Sequence, residues 1–217
     1  MSGSNAFPVA VIGAGPVGLA AAAHLVRYQQ PFIVFEAGSE PGAAIRQWGH
    51  VTTFSPWRYM VDGAARDLLE GAGWHAPNPD ALPTGHDLID RFVSPLAQHP
   101  AIAPHVRYRS RVASVGRKDF DKVRTKGRDQ QPFEIRLESG EVIEARAVID
   151  ASGTWLHPNP AASGGVPVPG EREHADRINY GIPDVAGRDR SRYAGKRVLV
   201  VGSGHSAFNV ILDLLTL

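Results

Sequence analysis

The chain contains no cysteine among its 217 residues. For these residues that excludes a disulfide scaffold, a cysteine-based zinc site and a redox Cys-x-x-Cys pair, and it fits a reducing, cytoplasmic setting. An excess of either charge is also missing: 23 basic residues face 22 acidic ones, for a net charge of +1. The sequence therefore carries no electrostatic footprint for nucleic acid or for an anionic membrane surface. Nowhere does an apolar run reach the ~20 residues of a membrane helix. The opening "MSGSNAFPVAVIGAG" lacks the basic leader of a signal peptide, and its "MSGSN" tip is expected to be disordered. The nine histidines never stand four apart with an acid between them, which argues for solvated or internally satisfied histidines and against a metal site. With 43% hydrophobic and 21% charged residues, the composition is that of a soluble globular protein, long enough for one domain and part of another.

What the sequence does have begins at Pro8. The apolar, β-branched run to Ile12 gives way to Gly13-Ala14-Gly15-Pro16-Val17-Gly18 and the alanine-rich "LAAAAHLVRYQQ", then to "PFIVFE", ending on Glu36. The pattern is strand, tight turn, helix, strand, with an acid roughly 20 residues beyond the turn, which is the dinucleotide-binding fingerprint. Each residue type has a task. Gly13 permits the sharp turn, Gly15 lets backbone approach a pyrophosphate, and Gly18 lets the helix pack on the sheet. Pro16 suits a first helical turn, where its missing N–H costs nothing. The helix N-terminus offers unpaired N–H groups and partial positive charge to phosphates. Glu36 can accept from both hydroxyls of an adenosine ribose and would repel a 2′-phosphate, so FAD or NAD fits this unit and NADP does not.

Residues 38 to 62 show no sustained periodicity and mix aromatic residues with Arg46, Gln47 and His50. This is either a loop that covers a cofactor or an aromatic flap packed for stability. "MVDGAARDLLEGAG" and "TGHDLIDRFVSPLAQH" have helical spacing. "VRYRSRVASVGRK" reads as two short strands around Ser110, and the charged run from Lys118 to Arg128 as a solvated loop. "PFEIRLESGEVIEARAVIDASG" reads as a hairpin about Ser139-Gly140, then a return strand from Ala147 to Ile149 that ends on Asp150-Ala151-Ser152-Gly153. Small residues there let backbone approach a nucleotide, which makes Ala151 and Gly153 candidate contacts. From 157 to 197 proline, glycine and charge dominate, the composition of a linker. The apolar run Val198 to Val201, then Gly202-Ser203-Gly204-His205-Ser206-Ala207, reads as the strand and turn of a second unit. The fold class that follows is α/β: a Rossmann-like FAD-binding domain with a parallel sheet and a β-meander over 1–157, a linker over 158–197, and over 198–217 the first strand and helix of an NAD(P)H-binding domain.

"VIGAGPVGLAAA" with Glu36, Trp48 in "IRQWG", "VIDASGTW" and "RVLVVGSGHSA", in this order, resemble the two-dinucleotide-binding flavoproteins, specifically the flavin-containing monooxygenase group. Between the last two motifs, "VPGEREHADRINY" is similar to that group's linker signature at Gly170 and His174, with Val168 in place of an aromatic residue. The resemblance implies FAD on the first unit and NADPH on the second, with oxygenation of a small-molecule substrate by oxygen through a flavin hydroperoxide. By that resemblance Gly13, Gly15, Pro16, Gly18 and Glu36 hold the FAD, Arg46, Gln47 and Trp48 line its flavin side, and Val112 meets the adenine through its backbone. Gly202, Ser203, Gly204, His205, Ser206 and Ala207 receive the NADPH pyrophosphate. His174 is either a linker residue affecting domain movement or a solvent-facing loop histidine. "PGAAIRQW" departs from the group's glycine pair before the tryptophan. The sequence names no catalytic side chain, because the reactive atom belongs to the flavin.

Two other functions compete. A flavin disulfide reductase lacks its cysteine pair here, and a nucleotide-binding module would bind without turnover. In a second unit spaced like the first, the ribose-recognising residue falls at about position 225, beyond Leu217. The expectation is therefore a fragment, or a chain whose remainder comes from a missing carboxy-terminal segment or from another polypeptide such as a second copy in a homo-oligomer. An exposed apolar helix face near the end needs such a partner.

Overall fold

A computed structural model describes residues 7–162 and 164–217. The "MSGSN" tip lies outside the described residues. In chain order the elements are β1 (Val9–Ile12), α1 (Pro16–Arg27), β2 (Phe32–Phe35), α2 (Ala43–Arg46), α3 (Gly63–Gly71), α4 (Gly85–Leu88), α5 (Ser94–Gln98), β3 (Val106–Arg107), β4 (Val112–Arg117), β5 (Phe133–Leu137), β6 (Val142–Ala145), β7 (Ala147–Asp150), α6 (Arg190–Tyr193) and α7 (His205–Leu214). Four strands form a parallel sheet in the order β3-β2-β1-β7, and β4-β5-β6 form an antiparallel meander.

The period-two geometry of strands explains why the central run is apolar throughout. Val9 and Val11 of β1, with Phe32 and Val34 of β2, face the helical layer, where they pack with Leu19, Ala22 and Ala23 of α1. Ala10 and Phe35 face the other way, onto Ile135, Leu137 and Ala145 of the meander. A parallel sheet covered on both faces needs hydrophobic residues at every position. Leu19 is fully buried, and burial of such a side chain contributes about 1.5–3 kcal/mol.

Local signals fix the other helices. Asp62 caps α3 by accepting from the N–H groups of Ala64 and Ala65. Thr84 and Asp87 form a reciprocal capping box on α4, and the helical path continues through a π-turn at Ile89–Val93 into α5. The region 38 to 62 is more ordered than its lack of periodicity predicts. It holds α2 and a 3-10 turn at Trp57–Tyr59, its Trp57 is in the core, and Thr52 bridges to Thr84. The expected strand over Val198 to Val201 does not form: the segment pairs with no strand among the described residues. An apolar β-branched run favours extended backbone, but a strand exists only where a neighbour completes its ladder. Leu199 and Val201 accordingly stand 86% and 71% exposed. Among the described residues no helix is long and apolar enough to cross a membrane.

Candidate functional site

The turn from β1 into α1 is built on three glycines with different jobs. Gly13 has φ +101°, and a Cβ there would lie 2.6 Å from the Ala151 carbonyl oxygen. A Cβ on Gly18 would lie 1.9 Å from the Gly13 carbonyl oxygen, so Gly18 is where helix and turn press together. Gly15 is different: beyond its own chain neighbours, no described atom lies within 4 Å of the position its Cβ would take. The space in front of Gly15 is open, as a site for close backbone approach requires. Pro16 occupies the first turn of α1, no acid joins it there, and no described side chain caps the helix. The free N–H groups and the positive end of the helix dipole therefore face this open space. Ala151, bonded through its N–H to the Ile12 carbonyl, backs the turn. Gly153 lies two residues on, at φ +69° with no described atom near its absent Cβ.

Glu36 is buried with relative exposure of 8%. Its Oε2 accepts from Ala14 N–H and its Oε1 from Gly38 N–H, both at 2.8 Å. The carboxylate thus ties the end of β2 to the Gly13–Gly18 turn, and each oxygen retains a further lone pair. The segment after β3 runs beside it: Arg107 O accepts from Glu36 N–H, and Ser110 N–H donates to Glu36 O. Burial and the nearby Glu36 charge push the Tyr108 phenol above its ordinary pKa. Val112 opens β4 two residues beyond Ser110, with its side chain packed against the meander core.

Gly42 N–H donates to Ala14 O, which seats α2 behind the same turn. Arg46, at the end of α2, brings its Nε within 2.7 Å of Glu40 Oε1, but off line, so that N–H finds no hydrogen-bond acceptor among the described residues. Gln47 and Trp48 meet a residue to which the sequence motifs gave no role. Trp155 Nε1 donates to Gln47 Oε1 at 2.8 Å, and the two indoles lie 6.4 Å apart. Trp155 was visible in "ASGTW", but its partner is 108 residues away, a distance no local pattern spans.

The stretch 158 to 197 contains a buried carboxylate. Glu171, 4% exposed, accepts from the N–H groups of Ala161 and Val168 at 2.9 Å and from the Tyr180 hydroxyl at 2.5 Å. These bonds, the one from Tyr180 foremost, hold its carboxyl below the ordinary carboxylate range. Gly170 and His174 sit on the same fold-back, where His174 N–H donates to Gly170 O.

The second glycine turn repeats the backbone of the first. Gly202 has φ +127°, against +101° at Gly13. Gly204, preceding α7, has φ −82° and ψ 178°, against −83° and −176° at Gly15. No described side chain caps α7. Of the three longest helices among the described residues, the one outside these turns, α3, has a side-chain N-cap, whereas α1 and α7 begin on bare glycine. Gly202 to Ser206 are exposed and Ala207 is half-buried. The structure does not join this turn to the Gly13 site. It sets it against the loop after Trp48, where the His205 ring stacks on Phe54 at 4.1 Å and Asn209 Nδ2 donates to Thr52 O at 3.5 Å.

Residues 7–214 match the model of the pyridine nucleotide-disulphide oxidoreductase family. The chain is 29% identical over 213 residues to ferredoxin--NADP reductase of Thermus thermophilus, covering 95% of this chain and 49% of that protein. It is 30% identical over 211 residues to indole-3-pyruvate monooxygenase YUCCA1 of Oryza sativa subsp. japonica, covering 94% and 44%. The chain thus spans about half the length of the curated relatives it matches. Among solved structures, OTEMO in complex with FAD and NADP superposes with a TM-score of 0.63 at 21% identity, over 99% of this chain and 38% of that one. The likeness carries the mixed α/β fold, parallel sheet and meander included.

Proposed function

Because the chain belongs to the pyridine nucleotide-disulphide oxidoreductase family, we propose that it is the amino-terminal portion of an FAD-dependent, NADPH-using oxidoreductase of the monooxygenase kind, acting on a small-molecule substrate with oxygen. Residues 1–157 form the FAD-binding unit, 158–197 the linker, and 198–217 the start of the NADPH-binding unit. The observation that carries this reading is the repeated turn. Two helices open on bare, extended glycines that follow a positive-φ glycine, and one of them is joined to a buried acid suited to a ribose.

FAD fits the first turn by the open space at Gly15 and the unpaired N–H groups of α1, which would take the pyrophosphate. Glu36 would orient the adenosine ribose through its remaining lone pairs. Val112 would meet the adenine through its backbone, Ala151 and Gly153 would let backbone approach the nucleotide, and the segment from Arg46 to Trp48 would flank the flavin side and shield it from water. NADPH fits the second turn, where Gly202, Ser203, Gly204, His205, Ser206 and Ala207 would receive its phosphates. When bound, such a pair supplies hydride transfer and reaction with oxygen, with the protein contributing binding and orientation. The relatives' names divide between a ferredoxin reductase and a monooxygenase. The monooxygenase reading is supported by the order of motifs through Trp48 and Gly170–His174, and the absence of cysteine supports a cytoplasmic setting.

The test is the visible spectrum, after incubation with FAD, of the purified whole protein to which this amino-terminal portion belongs, followed by NADPH oxidation with and without oxygen. Stoichiometric uptake, giving a flavin band near ~450 nm, with oxygen-dependent NADPH consumption is the expected result. Protein that takes up no FAD overturns the proposal. Flavin uptake without NADPH oxidation leaves a binding module in its place.

A further inference from the structure

Three segments far apart in sequence meet on one indole. Trp155 follows the small-residue turn after β7, and its Nε1 donates to Gln47 Oε1 at 2.8 Å. Its ring is tilted 54° to that of Trp48 at 6.4 Å, within the range of a favourable aromatic pair. Its benzo ring also meets Gly181, whose Cβ, if it had one, would fall 2.8 Å from Trp155 Cη2 and 3.3 Å from Cζ2. Gly181 also has φ +98°, so both its backbone and its missing side chain suit it to seat the ring. Gln47 is engaged a second time, since Arg188 Nη2 donates to its backbone carbonyl at 3.3 Å. Trp48 is itself backed by Gly85, where a Cβ would come within 2.9 Å of Trp48 Cε3. Gln47 thus accepts from the turn after β7 with its side chain and from the linker with its backbone.

We infer that Gln47, by holding the Trp155 indole where Gly181 seats on it, forms with Trp155 a latch that holds the linker on the first unit and so positions the second glycine turn. Gln47 is a positioning residue, acting through the indole. The latch deepens the proposed function and rests on it for its purpose, namely to keep the two nucleotide turns at a set separation. With the linker held at Gly181 and Arg188, the connection to Gly202 runs through residues 189 to 201. That connection is drawn in further by α6 and by the bond from Arg192 Nη2 to Asp176 O. A shorter tether raises the effective concentration of one turn near the other. The bonds at Gln47 are solvent-accessible, so the latch can open.

The absence of native cysteine among these residues makes a direct distance measurement clean. Spin labels on Tyr28→Cys, at the exposed end of α1, and Leu215→Cys, at the exposed end of α7, report the separation of the two units in the cofactor-free protein. Gln47→Leu removes the acceptor, Trp155→Phe removes the donor and keeps a ring, and Gln47→Glu keeps an acceptor. The expected result is a narrow distance distribution in the parent, clear broadening in Gln47→Leu and Trp155→Phe, no further broadening in the double variant, and recovery in Gln47→Glu. Amide exchange over residues 178–188 should rise roughly 5–10-fold in the same two variants, as a lost bond worth about 1 kcal/mol allows, and circular dichroism confirms that each remains folded. A distribution as narrow in the folded variants as in the parent overturns the latch, whatever the protein binds. Broadening in the variants together with failure of the parent protein to take up FAD or NADPH retains the latch and overturns the functional reading alone.

Discussion

A Cβ placed on Gly18 would fall 1.9 Å from the carbonyl oxygen of Gly13, whereas one placed on Gly15 would meet no described atom within 4 Å beyond its chain neighbours. Glycines of one motif thus separate into a packing glycine and one that faces open space, where the proposed ligand would approach. Gly18→Ala gains about 1 kcal/mol of helix propensity, but it forces α1 off the turn, at a cost of about 3 kcal/mol or more. The clash wins, and the melting temperature should fall by several degrees, at ~2–4 °C per kcal/mol for a chain of this size. Gly15→Ala should shift melting by no more than about 3 °C, since only a weaker N-cap is made. It should instead weaken FAD binding by ~10-fold or more by filling the approach space. Equal thermal losses in the two variants would contradict this division.

Glu36 gives a different separation. Each carboxylate oxygen accepts one backbone N–H, from Ala14 and from Gly38. Glu36→Gln keeps the shape but offers only one oxygen, leaving a buried N–H against an amide NH₂. The cost should be about 1–3 kcal/mol, read as a lower urea midpoint with an unchanged slope. Flavin affinity should fall as well. An unchanged midpoint would show that the two bonds do not hold the turn.

The first unit was legible because its signals are local. Strand, glycine turn, helix and Glu36 follow one another, and the hairpin about Ser139-Gly140 states its own register. The same local logic misread Val198 to Val201, whose β-branched residues favour extended backbone but find no strand to pair with among the described residues. It also missed Glu171. A glutamate in a proline- and glycine-rich stretch reads as solvated, and only the fold-back that brings Ala161, Val168 and Tyr180 around it allows its burial. The Trp155–Gln47 bond and the Phe54–His205 stack were hidden for the same reason: each joins residues that only the folded chain makes neighbours.

Glu171 should make the 158–197 stretch pH-sensitive in a defined direction. Its carboxyl is held below the ordinary range by the bonds from Tyr180, Ala161 and Val168. A group lowered in the folded state contributes order that is complete above its unfolded pKa and is lost as pH falls through the folded value. The amide resonances of Ala161 and Val168 should therefore stay constant from neutrality into the ordinary carboxylate range and then move together below it. In Glu171→Gln that joint step should vanish. Separate midpoints, or a joint midpoint at the ordinary carboxylate value, would mean that one carboxylate does not hold both amides.

The second turn allows a test in which stability and binding move in opposite directions. Gly204 precedes α7 in extended backbone that any residue adopts, without a side-chain cap and with no described atom within 4 Å of an added Cβ. Aspartate is a better N-cap than glycine by a few tenths of a kcal/mol, and its charge also favours the positive end of the helix. Gly204→Asp should thus hold the melting temperature or raise it slightly. If the turn receives a dinucleotide phosphate, the same carboxylate occupies the phosphate's N–H groups and repels its charge, so NADPH binding measured by calorimetry should drop by ~10-fold or more. FAD uptake at the first turn should be unaffected. Loss of both stability and binding would mean only that α7 was damaged, whereas a more stable protein with unchanged NADPH affinity would remove the second turn from the nucleotide site.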